Sequence, residues 1–181
     1  MRDINLILIT RMISPALQQL YDEHEVILVA IERLRSVLVA QDLASHAEEL
    51  QSLLAFFREY ADGYHHKKEE EILFLALADA NPAIENLTES LAEHHTLFRE
   101  ALAIVDVAMD TNDWETVRAT LDKYASDLID HISAENDELF VAAEDMLSES
   151  EKDRIRYQFL DADRELGEDR KKLLEEEMRV G

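Results

Sequence analysis

The chain of 181 residues has no cysteine, three glycines, two prolines and a single tryptophan. Without cysteine there can be no disulfide, no thiolate metal site, no iron–sulfur cluster and no cysteine nucleophile. So little glycine and proline leaves few turns, which argues against many short strands and for long helices. Cations are scarce too: 18 Lys and Arg stand against 41 Asp and Glu, a formal net charge of −23. Such a surface repels phosphates, so neither nucleic acid nor an anionic membrane is expected as a partner. Ile4 to Ile9 form an apolar stretch interrupted by Asn5. That stretch falls short of a secretory signal and of the about 20 apolar residues of a membrane span. A cytoplasmic location is the expectation.

What the sequence does contain is helix punctuation. Ser14-Pro15 places a capping hydroxyl before a proline at the first helical position, opening a helix to about residue 40. Ser45 with Glu48 reads as a capping box for a second helix to about residue 78. Asn81-Pro82 opens a third, to about residue 110, and Trp114 stands near the start of a fourth, to about residue 146. Ser148 with Glu151 caps a charged fifth helix to about residue 178. Short connections between long helices make neighbours antiparallel. The expected fold is all-α: an up-down-up-down four-helix bundle with an additional C-terminal helix. Its parts would be an N-terminal arm at 1–14, the bundle at 15–147 and the charged C-terminal helix at 148–181.

Apolar stripes at a period of 3.6 run along each helix of the bundle. They pass through Leu20, His24 and Ile27 in the first helix and Ala61, His65, Glu69 and Ile72 in the second. In the third they pass through Leu91, His94 and Phe98, and in the fourth through Leu128, His131, Glu135 and Leu139. Each stripe is interrupted by one histidine, and two carry a glutamate four residues later. At about 1.5 Å of rise per residue, His24, His65, Glu69, His94, His131 and Glu135 all lie about 14–22 Å from one end of the bundle. They fall in one layer. The pattern repeats internally: Glu23-His24 parallels Glu93-His94, and His65-x-x-x-Glu69 parallels His131-x-x-x-Glu135, each followed by Leu-Phe.

Four imidazoles and two carboxylates in an apolar layer are costly, because a buried ionised carboxylate loses several kcal/mol of solvation. A pair of metal ions removes that cost by neutralising the glutamates and engaging the imidazole lone pairs. The i, i+4 spacing lets His and Glu of one helix reach the same or adjacent ions. Nitrogen and oxygen donors without sulfur suit iron, manganese or zinc. His66 and His95 are expected on the solvated flanks of their stripes and His46 at the surface. Glu23, Glu70 and Glu93 are expected at the surface or behind the imidazoles, orienting them. Tyr21, Tyr64 and Tyr124 are expected to pack near the layer. There is no Gly-rich phosphate loop, HExxH or nucleophile elbow. Nor is there the Glu-x-x-His of ferritin-like sites, which only Asp62-x-x-His65 approaches.

The residues that carry this pattern resemble the hemerythrin-like HHE cation-binding family. They are Glu23-His24, the run from Tyr64 to Phe74, Glu93-His94 and the run from His131 to Phe140. The likeness spans about residues 15–147, and the charged fifth helix is similar to the extension of stand-alone bacterial and archaeal members. The resemblance implies a non-haem diiron centre, with His24 and His65 on one iron, His94 and His131 on the other, and Glu69 and Glu135 bridging. Oxygen-carrying members have a further histidine four residues after the one matching His94, where this chain has Phe98. That difference sets it apart from the carriers. The function implied is action on, or sensing of, oxygen, peroxide or nitric oxide; a catalytic version would be an oxidase or peroxidase. The alternatives are iron handling or storage, and a helical interaction module without redox activity. A homodimer or a redox partner would engage the C-terminal helix.

Overall fold

The computed structural model describes residues 13–179; residues 1–12 of the expected N-terminal arm, and 180–181, lie outside the described residues. All regular structure among the described residues is helical. Six helices follow one another: α1 (Pro15–Leu38), α2 (47–80), α3 (Glu85–Asp110), α4 (114–146), α5 (Glu149–Leu166) and α6 (Glu168–Arg179). None of them is long and apolar enough to cross a membrane.

The apolar core is in two parts, and the helix directions follow from them. One cluster gathers Ile27, Ile31, Leu54, Phe57, Leu102, Val105, Leu121 and Leu128. The other gathers Leu17, Leu20, Leu73, Leu77, Leu91, Leu139 and Phe140. α1 and α3 run from the second cluster to the first, whereas α2 and α4 run from the first to the second. This is the up-down-up-down order. On each of α1 to α4 the crossing between clusters falls at the His and Glu positions, so a polar layer divides the core.

Three of the expected starts hold in detail. Asn81 and Asp113 accept bonds from Ala83 N and Thr116 N, and Ser148 with Glu151 forms a complete capping box. Two hydroxyls behave otherwise. Ser14 makes no side-chain cap bond, and its backbone N–H donates to Glu144 at 3.1 Å. The Ser45 hydroxyl turns back to the Asp42 carbonyl at 2.8 Å, because a short 3₁₀ turn at Ala44–His46 precedes α2. The additional C-terminal helix is broken into α5 and α6 at Gly167, whose φ of 92° suits a residue without Cβ. Both halves pack on the bundle. Phe159 and Ile155 of α5 join the second cluster, and Leu174 and Met178 of α6 join the first.

Candidate metal centre

Two helices change pitch where the polar layer sits. α2 winds as a π-helix at Phe57–His66 and Glu69–Leu73, and α4 does so at Glu135–Leu139. A π turn bonds five residues back, so successive side chains stand closer in angle than the about 100° of an α-helix. His65 and His66, neighbours in sequence, consequently both turn inward and are 0 % and 2 % exposed. Gly63 lies in the same run, where an added Cβ would come within 3.1 Å of the Arg58 carbonyl oxygen.

The layer is made of His24, His65, His66, Glu69, His95, His131 and Glu135, all buried. They form two groups whose ligating atoms lie within 4.8 Å of one another. The first is His24, His65, Glu69 and Glu135; the second is His66, Glu69, His95 and His131. Glu69 is common to both. His24 Nε2 lies 3.2 Å from Glu135, His65 Nε2 3.4 Å from Glu69 and His131 Nε2 3.2 Å from Glu135. His95 Nε2 is 3.6 Å from Glu69 and 2.9 Å from His131 Nε2.

Four of these imidazoles are held from behind through Nδ1, which leaves Nε2 for the layer. The partners are Asn136 for His24 at 2.8 Å, Glu23 for His65 at 2.9 Å, Glu70 for His95 at 2.8 Å and His94 for His131 at 3.4 Å. Such outer partners set the ring orientation of a ligating histidine. His66 is placed by stacking on His95, with ring centroids 3.9 Å apart.

By its own side chains the layer cannot satisfy its charges. Burial and the facing Glu135 push the Glu69 carboxyl well above its ordinary range. Burial acts on Glu135 in the same sense but is outweighed by His131 and His24, which hold it well below. Burial also pushes His65 down to about 4, against the pull of Glu23, so the ring is neutral and its lone pair free at pH 7. The side-chain atoms His24 Nε2, His65 Nε2, His66 Nδ1 and both oxygens of Glu69 and of Glu135 are buried without a hydrogen-bond partner among the described residues. A cation-free polar core would not leave so many acceptors facing one another. These donors fit metal ions: hard oxygens and imidazole nitrogens, converging, dry and anionic.

Of the positions singled out from sequence, His24, His65, Glu69, His131 and Glu135 are brought together; His94 is not. His94 is exposed, and His95 occupies the layer. The helical phase explains the correction. At about 100° per residue, His95 lies about 40° from Leu91 and His94 about 60° to the other side. Leu102 and Thr88 draw the buried face toward His95. The internal repeat shifts accordingly. Glu23 backs His65 and His94 meets His131, so Glu23-His24 corresponds to His94-His95 and not to Glu93-His94. Glu93 is exposed.

His66 and His95, expected on solvated flanks, are therefore the residues that sequence reasoning missed. For His95 the signal was available in the a/d-like run Leu91, Phe98, Leu102 and Val105. For His66 there was none at α-helical period, because only the π winding turns it inward. It also breaks the repeat, since the matching residue after His131 is Ile132. Outside His131 opens a cavity of about 360 Å³, lined by His94, Leu97, Phe98, Lys123, Asp127 and Asp130.

The family model described as the hemerythrin HHE cation binding domain matches residues 16–143, which includes every member of the layer. No curated protein and no solved structure matches the chain. The match takes in the four helices and both halves of the cluster, and on that ground the chain belongs to the hemerythrin HHE cation-binding domain family.

Proposed function

We propose that the layer binds two non-haem iron ions and that the iron-loaded chain reacts with, or senses, a small oxidant: oxygen, peroxide or nitric oxide. The observation that carries this reading is the set of buried, partnerless nitrogen and oxygen atoms divided into two groups around Glu69. His24 and His65 would hold one ion and His66, His95 and His131 the other, with Glu69 touching both and Glu135 closing the first group. Bound iron would supply electrons and open coordination positions for a small ligand. The protein's own part is to present imidazole nitrogens, fix four of the five rings through Nδ1 and keep the layer dry.

Access is unequal. His131 and Phe98, whose rings lie 5.3 Å apart, both line the 360 Å³ cavity, so a small molecule has a short path to the second group. Manganese and zinc suit the same donors. Anaerobic reconstitution followed by metal analysis tests the first half of the proposal, with two irons per chain expected and manganese and zinc as competitors. Binding to the native state alone also raises stability. One site held 1,000-fold above its Kd adds about 4 kcal/mol, roughly 8–16 °C in Tm for a chain of this size. Mixing the reduced, loaded chain with oxygen or peroxide tests the second half. Irreversible consumption of the oxidant is expected, and a spectrum that reverses under vacuum would make the protein a carrier.

A further inference from the structure

The first group has a feature that the second lacks: its outer partner is part of a buried ion network that leaves the bundle. Glu23, 2 % exposed, accepts from His65 Nδ1 at 2.9 Å and from the Tyr64 hydroxyl at 2.7 Å. Lys68, 1 % exposed, donates to the same carboxylate, with its ammonium 4.0 Å from the Tyr64 ring centroid and 5.1 Å from that of Phe159 in α5. Tyr64 Oη also contacts Asp163 of α5. Asp163 in turn takes a bond from Gln19 of α1 at 3.0 Å and pairs with Lys171 of α6 at 3.3 Å. Lys171 lies 3.7 Å from Glu23 itself. Burial alone would raise the Glu23 carboxyl, but Lys68 and the His65 hydrogen bond hold it well below its ordinary range.

Lys68 is an expensive residue to bury. A lone ammonium in an apolar setting costs several kcal/mol unless paired and hydrogen-bonded. Among the described residues the carboxylate it pairs with is that of Glu23, and Glu23's carboxylate is what holds the His65 ring. The cover that keeps this pair dry includes Phe159 of α5, and the charges that complete it, Asp163 and Lys171, come from α5 and α6. Undocking those two helices would expose Glu23 and Lys68 to water and free the Tyr64 contact. The second group depends on nothing of the kind, because Glu70, Arg99 and Asp62, which stand behind His95 and His66, all belong to α2 and α3.

We propose that Glu23 and Lys68 are positioning residues that couple the first group to the C-terminal helices, so that docking of α5 and α6 raises metal affinity at His24 and His65 and leaves the second group unaffected. The proposal rests on metal binding by the layer. By linkage the coupling is reciprocal: metal at the first group must favour docking by the same factor as docking favours metal. Loss of an outer partner lowers metal affinity by about 10- to 100-fold, and that factor should appear in both measurements.

The experiment uses the full chain, titrated with ferrous iron without oxygen, and hydrogen exchange of residues 149–179 with and without metal. In wild type two ions are expected to bind, and metal should slow exchange across these helices. Asp163→Asn and Lys171→Met, at partly exposed positions and one contact further from the ligands, should each weaken one of the two ions several-fold, leave the other unchanged and abolish the metal-dependent slowing. Lys68→Met should do the same more strongly. Should that buried variant fail to fold by circular dichroism, the two outer variants decide. Two ions bound in Asp163→Asn and Lys171→Met as in wild type, with exchange still slowed by metal, would overturn the coupling alone. A wild-type chain that takes up no metal would overturn the functional reading and the coupling with it. Equal weakening of both ions would show a general loss of packing and would also overturn it.

Discussion

The group built on His24 and His65 and the group built on His66, His95 and His131 share Glu69 and lie in one layer, yet their backing differs in kind. Behind the first are Glu23 and Lys68, both essentially without solvent contact, capped by helices outside the four-helix bundle. Behind the second are Glu70, Asp62 and Arg99, which are 30 %, 28 % and 41 % exposed and already meet water. The second also faces a cavity at His131, where an exposed histidine stands in the place that Glu23 holds in the first. The two groups thus differ as a closed half and an open half.

The largest expected effect comes from the residue that the halves share. Glu69→Ala removes a donor from both groups, so metal content should fall from two ions per chain to near none; one retained ion would mean that Glu69 serves a single half. The comparison sharpens on α3. His95→Ala should empty the open half and keep one ion, whereas His94→Ala should keep both and weaken one by about 10-fold, as loss of an outer partner does. The opposite result would return His94 to the layer.

Smaller effects separate stability from binding. Gly167→Ala forces a Cβ into a positive-φ joint at a cost of about 1–2 kcal/mol. A drop in Tm of a few degrees is expected, with both ions still bound, since the strain falls between α5 and α6 and not at Asp163 or Lys171. Arg99→Ala should matter least. It removes a half-exposed partner of Glu70 and Asp62, and such pairs contribute about 0–1 kcal/mol. Metal affinity of the open half should change no more than a few-fold by titration. A loss as large as that expected for Lys68→Met would show that the halves are backed alike.

Much of this was legible in the chain. The caps at Asn81, Asp113 and Ser148, the proline at 15 and the scarcity of glycine set out the helices, and the His and Glu interruptions of the apolar stripes set out a layer. The misplaced residues were misplaced for one reason each. His94 and His95 lie on either side of the stripe's axis, and Leu91 and Phe98 alone admit either; Leu102 and Thr88 settle it by their burial. Lys68 carried no signal at all: it stands among the charged residues from Lys67 to Glu71, and nothing local announces that Glu23 lies opposite.

By itself the sequence determined the four antiparallel helices, the depth of the polar layer and the kind of atoms in it. Those depend on short-range physics: capping, a 3.6-residue period and a rise of about 1.5 Å per residue. Only the tertiary structure decided that His66 enters the layer beside His65, and that the two halves are unequal. A π turn at Phe57–His66 brings His66 inward because the wider winding narrows the angle between neighbours. The burial of Lys68 against Glu23 required α5 and α6 to fold back across α1 and α2 and exclude water from that pair, and no local pattern in the chain encodes what a distant helix will cover.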